Sequence, residues 1–409
     1  MNVCSRKLIG SAIGLALLGA LAAQAGAQQP IRIGASLAVS GTYAKPGKYQ
    51  QEGYLLCAKE LNAKGGLLGR KVEFVFYDDK SEPTAANRLY EKLITEDKVD
   101  AVMGPYSSPI TEAVANVSEK YKRVMVTPLA ATTSIFKKGR KYIFMVISPA
   151  EVYLEGLVDM AARRGLKTVA VLNEDTLFAK AAAAGAIDIA KKKGLQVVFH
   201  EPYPKGHTDF SAILTKIKST NPDVIAASTY FDDAVAITRQ MRALGVNPKM
   251  YGATSGVDLL KFYEVLGRDA EFVYGATQWE PELVILRAGG LIPIARQYPG
   301  AREFVESHKK EFPGADLSYF SAGGYGGCQI LVEAVKRAGS LDADRIRDAI
   351  LKLDFNTVFG AFKVDPDGFQ IAHKMVMFQW QDGKKVIVWP EELAPGKPRF
   401  PTPPWSQRQ

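Results

Sequence analysis

The chain has 409 residues, 47% of them hydrophobic and 23% charged. That is too long for one compact core and too apolar for a disordered or fibrous chain; at about 150 residues per domain it suggests two lobes or three. The formal charge is +9, but the basic residues are scattered. The tightest run, Lys191-Lys192-Lys193, falls at a predicted helix end, so no nucleic-acid-binding stripe is present.

Residues 1–27 read as a secretory leader. Arg6-Lys7 open it, Leu8 to Leu21 form an apolar run, and Ala25-Gly26-Ala27 supplies a small-x-small cleavage site. The run is too short and too rich in Gly and Ala for a spanning helix, which needs ~20 predominantly apolar residues. Cleavage after Ala27 leaves a mature chain of charge +7 without a membrane span, expected to be exported and soluble. Cys4 departs with the leader. Cys57 and Cys328 each sit in an apolar helical pattern and are read as two buried thiols, with a disulfide as the alternative that an oxidising compartment allows.

Short β-rich runs then alternate with helical patterns. Ile31 to Ser36 reads as a strand, Lys48 to Ala63 as a helix stopped by Gly65-Gly66, and Val72 to Tyr77 as a strand ending in Asp78-Asp79. A helix follows from Thr84 to Glu96, then strand Ala101-Met103, helix Ile110 to Tyr121 and strand Val124-Val126. After Ser148-Pro149 a second set of the same kind runs to about Gly252, and three helical patterns and a hairpin at Asp382-Gly383 complete the chain. Such alternation predicts an α/β architecture of two Rossmann-like, doubly wound parallel-sheet lobes. The expected boundaries are 28–148 with about 277–354 for the first lobe and 149–276 with about 355–392 for the second. A Pro-rich tail, 393–409, is expected on the surface.

In open parallel sheets ligands bind beyond the carboxyl ends of the strands. The strongest such edge is Gly104 to Pro109, where Ser108 reads as a helix cap, Pro109 as a first helical residue, and Ser107 adds a hydroxyl. Free backbone N–H groups at that helix start suit a carboxylate, although Ser-Pro also serves simply to cap a helix. The loop Thr127 to Thr133, with Ala130, Ala131 and Thr132, faces the same side. In the second half the edges are Asn173 to Phe178, Thr229 to Phe231 and Thr254-Ser255-Gly256. The four His show no metal spacing, and no nucleophile elbow, Walker A run or dinucleotide fingerprint occurs. The expectation is a protein that is not an enzyme and carries no cofactor or metal.

Ile31 to Gly34 with Ser40-Gly41, Glu60 to Gly66, Tyr77-Asp78-Asp79, the Gly104–Pro109 edge, Asp209-Phe210-Ser211 and Arg239 to Gly245 together resemble the periplasmic substrate-binding proteins of branched-chain amino acid (Leu/Ile/Val-type) ABC transporters. The resemblance implies a type I periplasmic binding fold, two lobes joined by three crossovers, and docking to a membrane permease. It casts Ser107 as the hydroxyl for the ligand carboxylate, Ala130 as a main-chain contact, and Tyr230 as an aromatic wall; Phe178 stands where Tyr is common. The chain departs from that pattern at Ala131, where a hydroxyl is usual, and in Gly252 to Gly256, which lacks the acid expected for a ligand ammonium. A buried ammonium without a partner costs several kcal/mol. The ligand is therefore read as a carboxylate lacking an α-amino group, either aromatic or aliphatic, walled by Tyr43, Tyr153, Phe178, Tyr230, Phe231 and Trp279, with Thr254 and Ser255 alongside. The alternative is an ordinary amino acid whose charge is met by Glu151 or Asp258. The rival functions are a ligand sensor of the same fold and an exported small ester or amide hydrolase.

Overall fold

A computed structural model of the chain describes residues 28–284, 298–392 and 394–408; the expected leader, residues 1–27, lies outside the described residues. The first five strands are β1 (Ile31–Leu37), β2 (Val72–Asp78), β3 (Ala101–Met103), β4 (Met125–Thr127) and β5 (Ile143–Met145). They form a parallel sheet of order β2-β1-β3-β4-β5. The helices joining them are α1 (Ala44–Ala63), α2 (Pro83–Thr95), α3 (Ser108–Lys120) and α4 (Thr133–Phe136). β3, β4 and β5 are buried throughout, so they read as apolar runs without alternation. Pro46 sits in the first turn of α1, where a missing N–H costs nothing. Asp78 and Asp79 act as strand-end ties. Asp78 accepts from the amides of Val39, Ser40 and Lys80, and Asp79 from the Ser36 hydroxyl and the Ser81 amide.

The second lobe brings α5 (Glu155–Arg163), β6 (Thr168–Glu174), α6 (Leu177–Lys192), β7 (Gln196–Tyr203), α7 (Ser211–Thr220), β8 (Val224–Ser228), α8 (Phe231–Leu244), β9 (Met250–Ala253), α9 (Leu260–Leu266) and β10 (Tyr274–Thr277). The chain then returns to the first lobe. α10 (Ala301–Glu311), α11 (Tyr319–Ala338) and α12 (Ala343–Ile350) follow, then the pair β11 (Asp354–Thr357) and β12 (Gly360–Lys363). Finally β13 (Val376–Gln381) and β14 (Lys384–Trp389) make the expected hairpin and add antiparallel to the second sheet, whose order is β14-β13-β10-β9-β8-β6-β7.

α11 packs along α1 at close range. A Cβ at Gly53 would lie 2.2 Å from the Ser321 carbonyl, and one at Gly324 2.5 Å from that of Gln50. Cys57 and Cys328 meet across this contact in a disulfide, which corrects the reading of two thiols. Their patterns lie 271 residues apart, so nothing local betrays the pairing. The β11–β12 pair stays on the first lobe, since Val358 donates to Gln329 of α11. The last crossing thus comes after residue 363, later than the expected boundary near 355.

Three crossings join the lobes, and their residues are lashed together. The Ser148 amide donates to Gln278 Oε1 at 3.0 Å and its hydroxyl to the His373 carbonyl at 3.1 Å, while His373 Nε2 lies 3.2 Å from the Gln278 carbonyl. The tail is bound to the second lobe. The Thr402 amide donates to the Lys249 carbonyl and Trp405 Nε1 to that of Val246.

Candidate functional site

In both sheets the strand order reverses beside the first strand of the lobe, and loops leaving the carboxyl ends there converge between the lobes. They enclose a cavity of about 20 Å³, room for about one water. Its walls are Tyr106, Ser107, Ser108, Leu129, Ala131 and Ile147 from the first lobe, Tyr153, Phe178, Tyr230 and Ser255 from the second, and Tyr319 from the start of α11. Among the described residues no acidic or basic side chain is on this wall.

Ser107 is its most unusual member. It caps α3, one position earlier than expected, yet its hydroxyl makes no capping bond. It is 3% exposed, its Oγ has no partner in the protein, and its backbone is at φ 81°, ψ 149°. That conformation is nearly reserved for glycine and persists only where surrounding structure imposes it. At the start of this loop, Gln50 Nε2 and the Tyr54 hydroxyl both donate to the Gly104 carbonyl, at 2.8 and 2.9 Å. The result is a buried hydroxyl and a helix N-terminus facing a cavity, a combination suited to an anion.

Ser108, expected beside it as a ligand contact, is also on the wall and ties two loops together. Its Oγ accepts from the amides of Ala131 and Thr132, at 3.1 and 3.2 Å, and so draws the two first-lobe loops together. Ala131 consequently offers the cavity a methyl group rather than its amide. Ala130 and Thr132 are buried just off the wall.

The aromatic residues form a continuous belt. Ring centroids run Tyr153–Phe178 5.0 Å, Phe178–Tyr230 5.7 Å, Tyr230–Tyr43 5.0 Å, Tyr43–Tyr106 5.4 Å, Tyr106–Phe320 5.5 Å and Phe320–Tyr319 4.0 Å. Tyr43 backs this belt across the cleft without lining the cavity. Phe231 stands at the rim under Lys45, whose Nζ is 4.6 Å from its ring. Trp279 turns away to pack on Phe304, and Thr254 exchanges hydrogen bonds with the Thr229 main chain. Leu129, Ile147, Tyr106 and Tyr319 are the wall residues sequence reasoning missed. Tyr106 adjoins Ser107, so its place in the edge loop was the available signal; Tyr319 arrives from a distant helix and has none.

Two buried acids lie off the cavity wall. Asp258 is fully buried; its Oδ1 accepts from the Gly256 amide at 2.8 Å and its Oδ2 has no protein partner. Burial pushes its carboxyl up to about 6, against the pull of Lys385. Lys385 itself is buried, paired with Glu280 and donating to the Asp258 carbonyl. Glu174, at the end of β6, also has an unpartnered oxygen; burial and then Asp233 push it up to about 7. Glu151, by contrast, accepts from the Thr133 hydroxyl at 2.7 Å, away from the cavity.

Two parallel-sheet lobes hinged by three crossings, with a lined cavity between their carboxyl edges, define a solute-binding protein. A family model described as periplasmic binding protein matches residues 30–385, and the chain belongs to that family. A Leu/Ile/Val-binding protein homolog 7 of Brucella melitensis is 27% identical over 407 residues, covering 95% of this chain and 98% of that one. Among solved structures, the leucine-binding protein LivK of Thermotoga maritima matches with a TM-score of 0.79 and 27% identity, over 89% of this chain and 100% of that one. The branched-chain amino acid transporter substrate-binding protein LivJ of Streptococcus pneumoniae, in complex with isoleucine, matches at 0.76 and 25%, over 87% and 98%. A solute-binding protein of an ABC transporter from Rhodopseudomonas palustris, in complex with 3,4-dihydroxybenzoic acid, matches at 0.74 and 23%, over 87% and 95%. The chain thus has the type I periplasmic fold and resembles, over nearly its whole length, proteins named as Leu/Ile/Val-binding homologues and branched-chain amino acid binding proteins. No described helix is long and apolar enough to cross a membrane.

Proposed function

We propose that the protein, exported by its leader and freed from it, captures a small carboxylate between its lobes and delivers it unaltered to a permease. We propose further that the ligand is an aromatic or aliphatic carboxylic acid lacking the α-amino group. The observation that carries this reading is Ser107, a buried, strained and unpartnered hydroxyl at a helix start, facing a cavity whose wall holds no acid. The ligand carboxylate takes Ser107 Oγ and the free amides of α3, and the rings and Leu129 and Ile147 cover the remainder. The fold admits both kinds of ligand, since one neighbour holds isoleucine and another a dihydroxybenzoic acid. A second reading, an α-amino acid, is favoured by the unpartnered Oδ2 of Asp258.

A thermal-shift comparison of isoleucine, 3-methylpentanoate and 3,4-dihydroxybenzoate separates the two, because a ligand raises Tm by mass action. Stabilisation by the desamino acids supports the proposal. Stabilisation by isoleucine alone gives the site to amino acids, and turnover of small esters or amides by the pure protein would give it to a hydrolase.

A further inference from the structure

Lys80 and Ser81, in the loop after β2, are successive non-glycine residues at φ 58° and 64°. Side chains with a Cβ seldom enter that region, and such residues persist where the surrounding structure holds them there. Asp79 is fully buried and ties the turn: one carboxylate oxygen accepts from the Ser36 hydroxyl at 2.7 Å and the other from the Ser81 amide at 3.0 Å. Ser81 is buried as well, and its hydroxyl serves the loop before α1. It accepts from the Tyr43 amide at 2.9 Å and donates to the Ser40 carbonyl at 2.8 Å. The two loops press together there, since a Cβ at Gly41 would lie 2.5 Å from the Lys80 carbonyl. Hydrogen bonds thus run Ser36–Asp79–Ser81–Tyr43 and end at the residue that opens α1.

Tyr43 is a point where the first lobe meets the second. Its ring centroid is 5.4 Å from that of Tyr106 in its own lobe and 5.0 Å from that of Tyr230 in the other, and Lys205 Nζ of the second lobe lies 5.3 Å from it. Tyr106 and Tyr230 line the cavity; Tyr43, Ser81, Asp79 and Ser36 do not. A solute in the closed cleft touches none of these four, yet the contact that encloses it depends on where Tyr43 stands. We propose that Ser81, fixed by Asp79, is a positioning residue for closure: it holds Tyr43 against Tyr230 and so sets how long a captured solute stays. This inference rests on capture by lobe closure and not on which solute is captured. A solute adheres to an open cleft and leaves by reopening, so a protein contact made only on closure slows departure and leaves arrival unchanged.

Stopped-flow kinetics on the full mature protein test it, with isoleucine, 3-methylpentanoate and 3,4-dihydroxybenzoate as probes. For each probe that binds, Ser81→Ala is expected to raise koff about two- to tenfold, the range of one lost hydrogen bond, and to leave kon unchanged. In a Tyr43→Ala background the same substitution is expected to change nothing further, because Ser81 acts through Tyr43. Ser81→Gly relieves the backbone while removing the hydroxyl; it is expected to raise koff alike, and it decides the matter if the alanine variant fails to fold. An unchanged koff overturns the inference, as does a loss confined to kon. An effect of Ser81→Ala that persists in the Tyr43→Ala background overturns it too, since the hydroxyl would then serve the fold at large. Each of these outcomes leaves capture between the lobes standing. If none of the three probes binds, this inference and the carboxylate reading fall together.

Discussion

Ser107 offers the sharpest test, because one of its costs is visible in the structure. A non-glycine residue in its backbone region costs on the order of 1–3 kcal/mol. Ser107→Ala keeps that cost, and the hydroxyl it removes faces a cavity with room for about one water, which can partner it in the ligand-free protein. Ser107→Gly removes the cost, less about 0.4–1 kcal/mol for the freer unfolded chain. Without ligand, Ser107→Ala should therefore melt close to the wild type and Ser107→Gly above it, by about 1–3 °C for a chain of this length. Binding should move the other way. A hydrogen bond to a charged group contributes about 1.5–3 kcal/mol, so both variants should bind the strongest acid of the panel about tenfold to 150-fold more weakly. Scanning calorimetry on the ligand-free proteins and titration calorimetry on the ligand read the two effects. A variant that melts lower and binds unchanged would refute the reasoning, since the hydroxyl would then be serving the fold and not the ligand.

The disulfide closes a span of 271 residues, so Cys57→Ala with Cys328→Ala should cost up to about 5.6 kcal/mol, a fall in Tm of up to about 7 °C, with the same loss on reducing the wild type and none on reducing the double variant. His373 in the hinge is pulled from 6.5 down to about 4, chiefly by burial; its folded form holds the proton less tightly, so the stability it contributes is present above pH 6.5 and falls by about 3 kcal/mol as pH drops toward 4. His373→Asn should flatten that part of a denaturant-midpoint curve against pH, and an unchanged slope would assign it elsewhere. Gly53→Ala places a methyl 2.2 Å from the Ser321 carbonyl and should force α1 from α11, lowering the urea midpoint by the equivalent of about 2 kcal/mol or more; an unchanged midpoint would mean that this helix contact yields freely.

Much of the fold was legible because each unit repeats one local grammar. Val72 to Asp78 and Val224 to Ser228 are short β-rich runs, and the helices between such strands end at turn residues such as Gly65 and Gly245. The edge loop 104–109 was legible for the same reason, since a strand followed by Ser-Ser-Pro fixes both a helix start and its side of the sheet. What escaped depends on distant chain. Tyr319 reaches the cavity only because α11 crosses back from beyond the second lobe, and the disulfide depends on the same return. The two hydroxyls differ in a way sequence does not show. Ser107 and Ser108 look equivalent there, but Ser107 Oγ has no partner in the protein, while Ser108 Oγ accepts from the amides of Ala131 and Thr132 and keeps its O–H as a donor on the cavity wall.

The contacts across the cleft decide how much work the ligand must do. Tyr43 of the first lobe meets Tyr230 of the second at 5.0 Å, Lys45 covers Phe231, Lys205 covers Tyr43, and the Leu260 amide at the start of α9 donates to Asp316 of the first lobe at 3.2 Å. All four form between protein groups, so they favour closure whether or not a solute is present. A ligand shifts the balance only by what it binds better in the closed form than in the open one. On the proposed reading, contacts confined to the first lobe, such as that of Ser107 with a carboxylate, would be available to an open cleft and would set affinity without driving closure. Contacts with Tyr153, Phe178, Tyr230 and Ser255 would form for that same solute only after closure. That reading places selectivity for which solute closes the protein in the second-lobe rings, and selectivity for which solute first adheres at the start of α3.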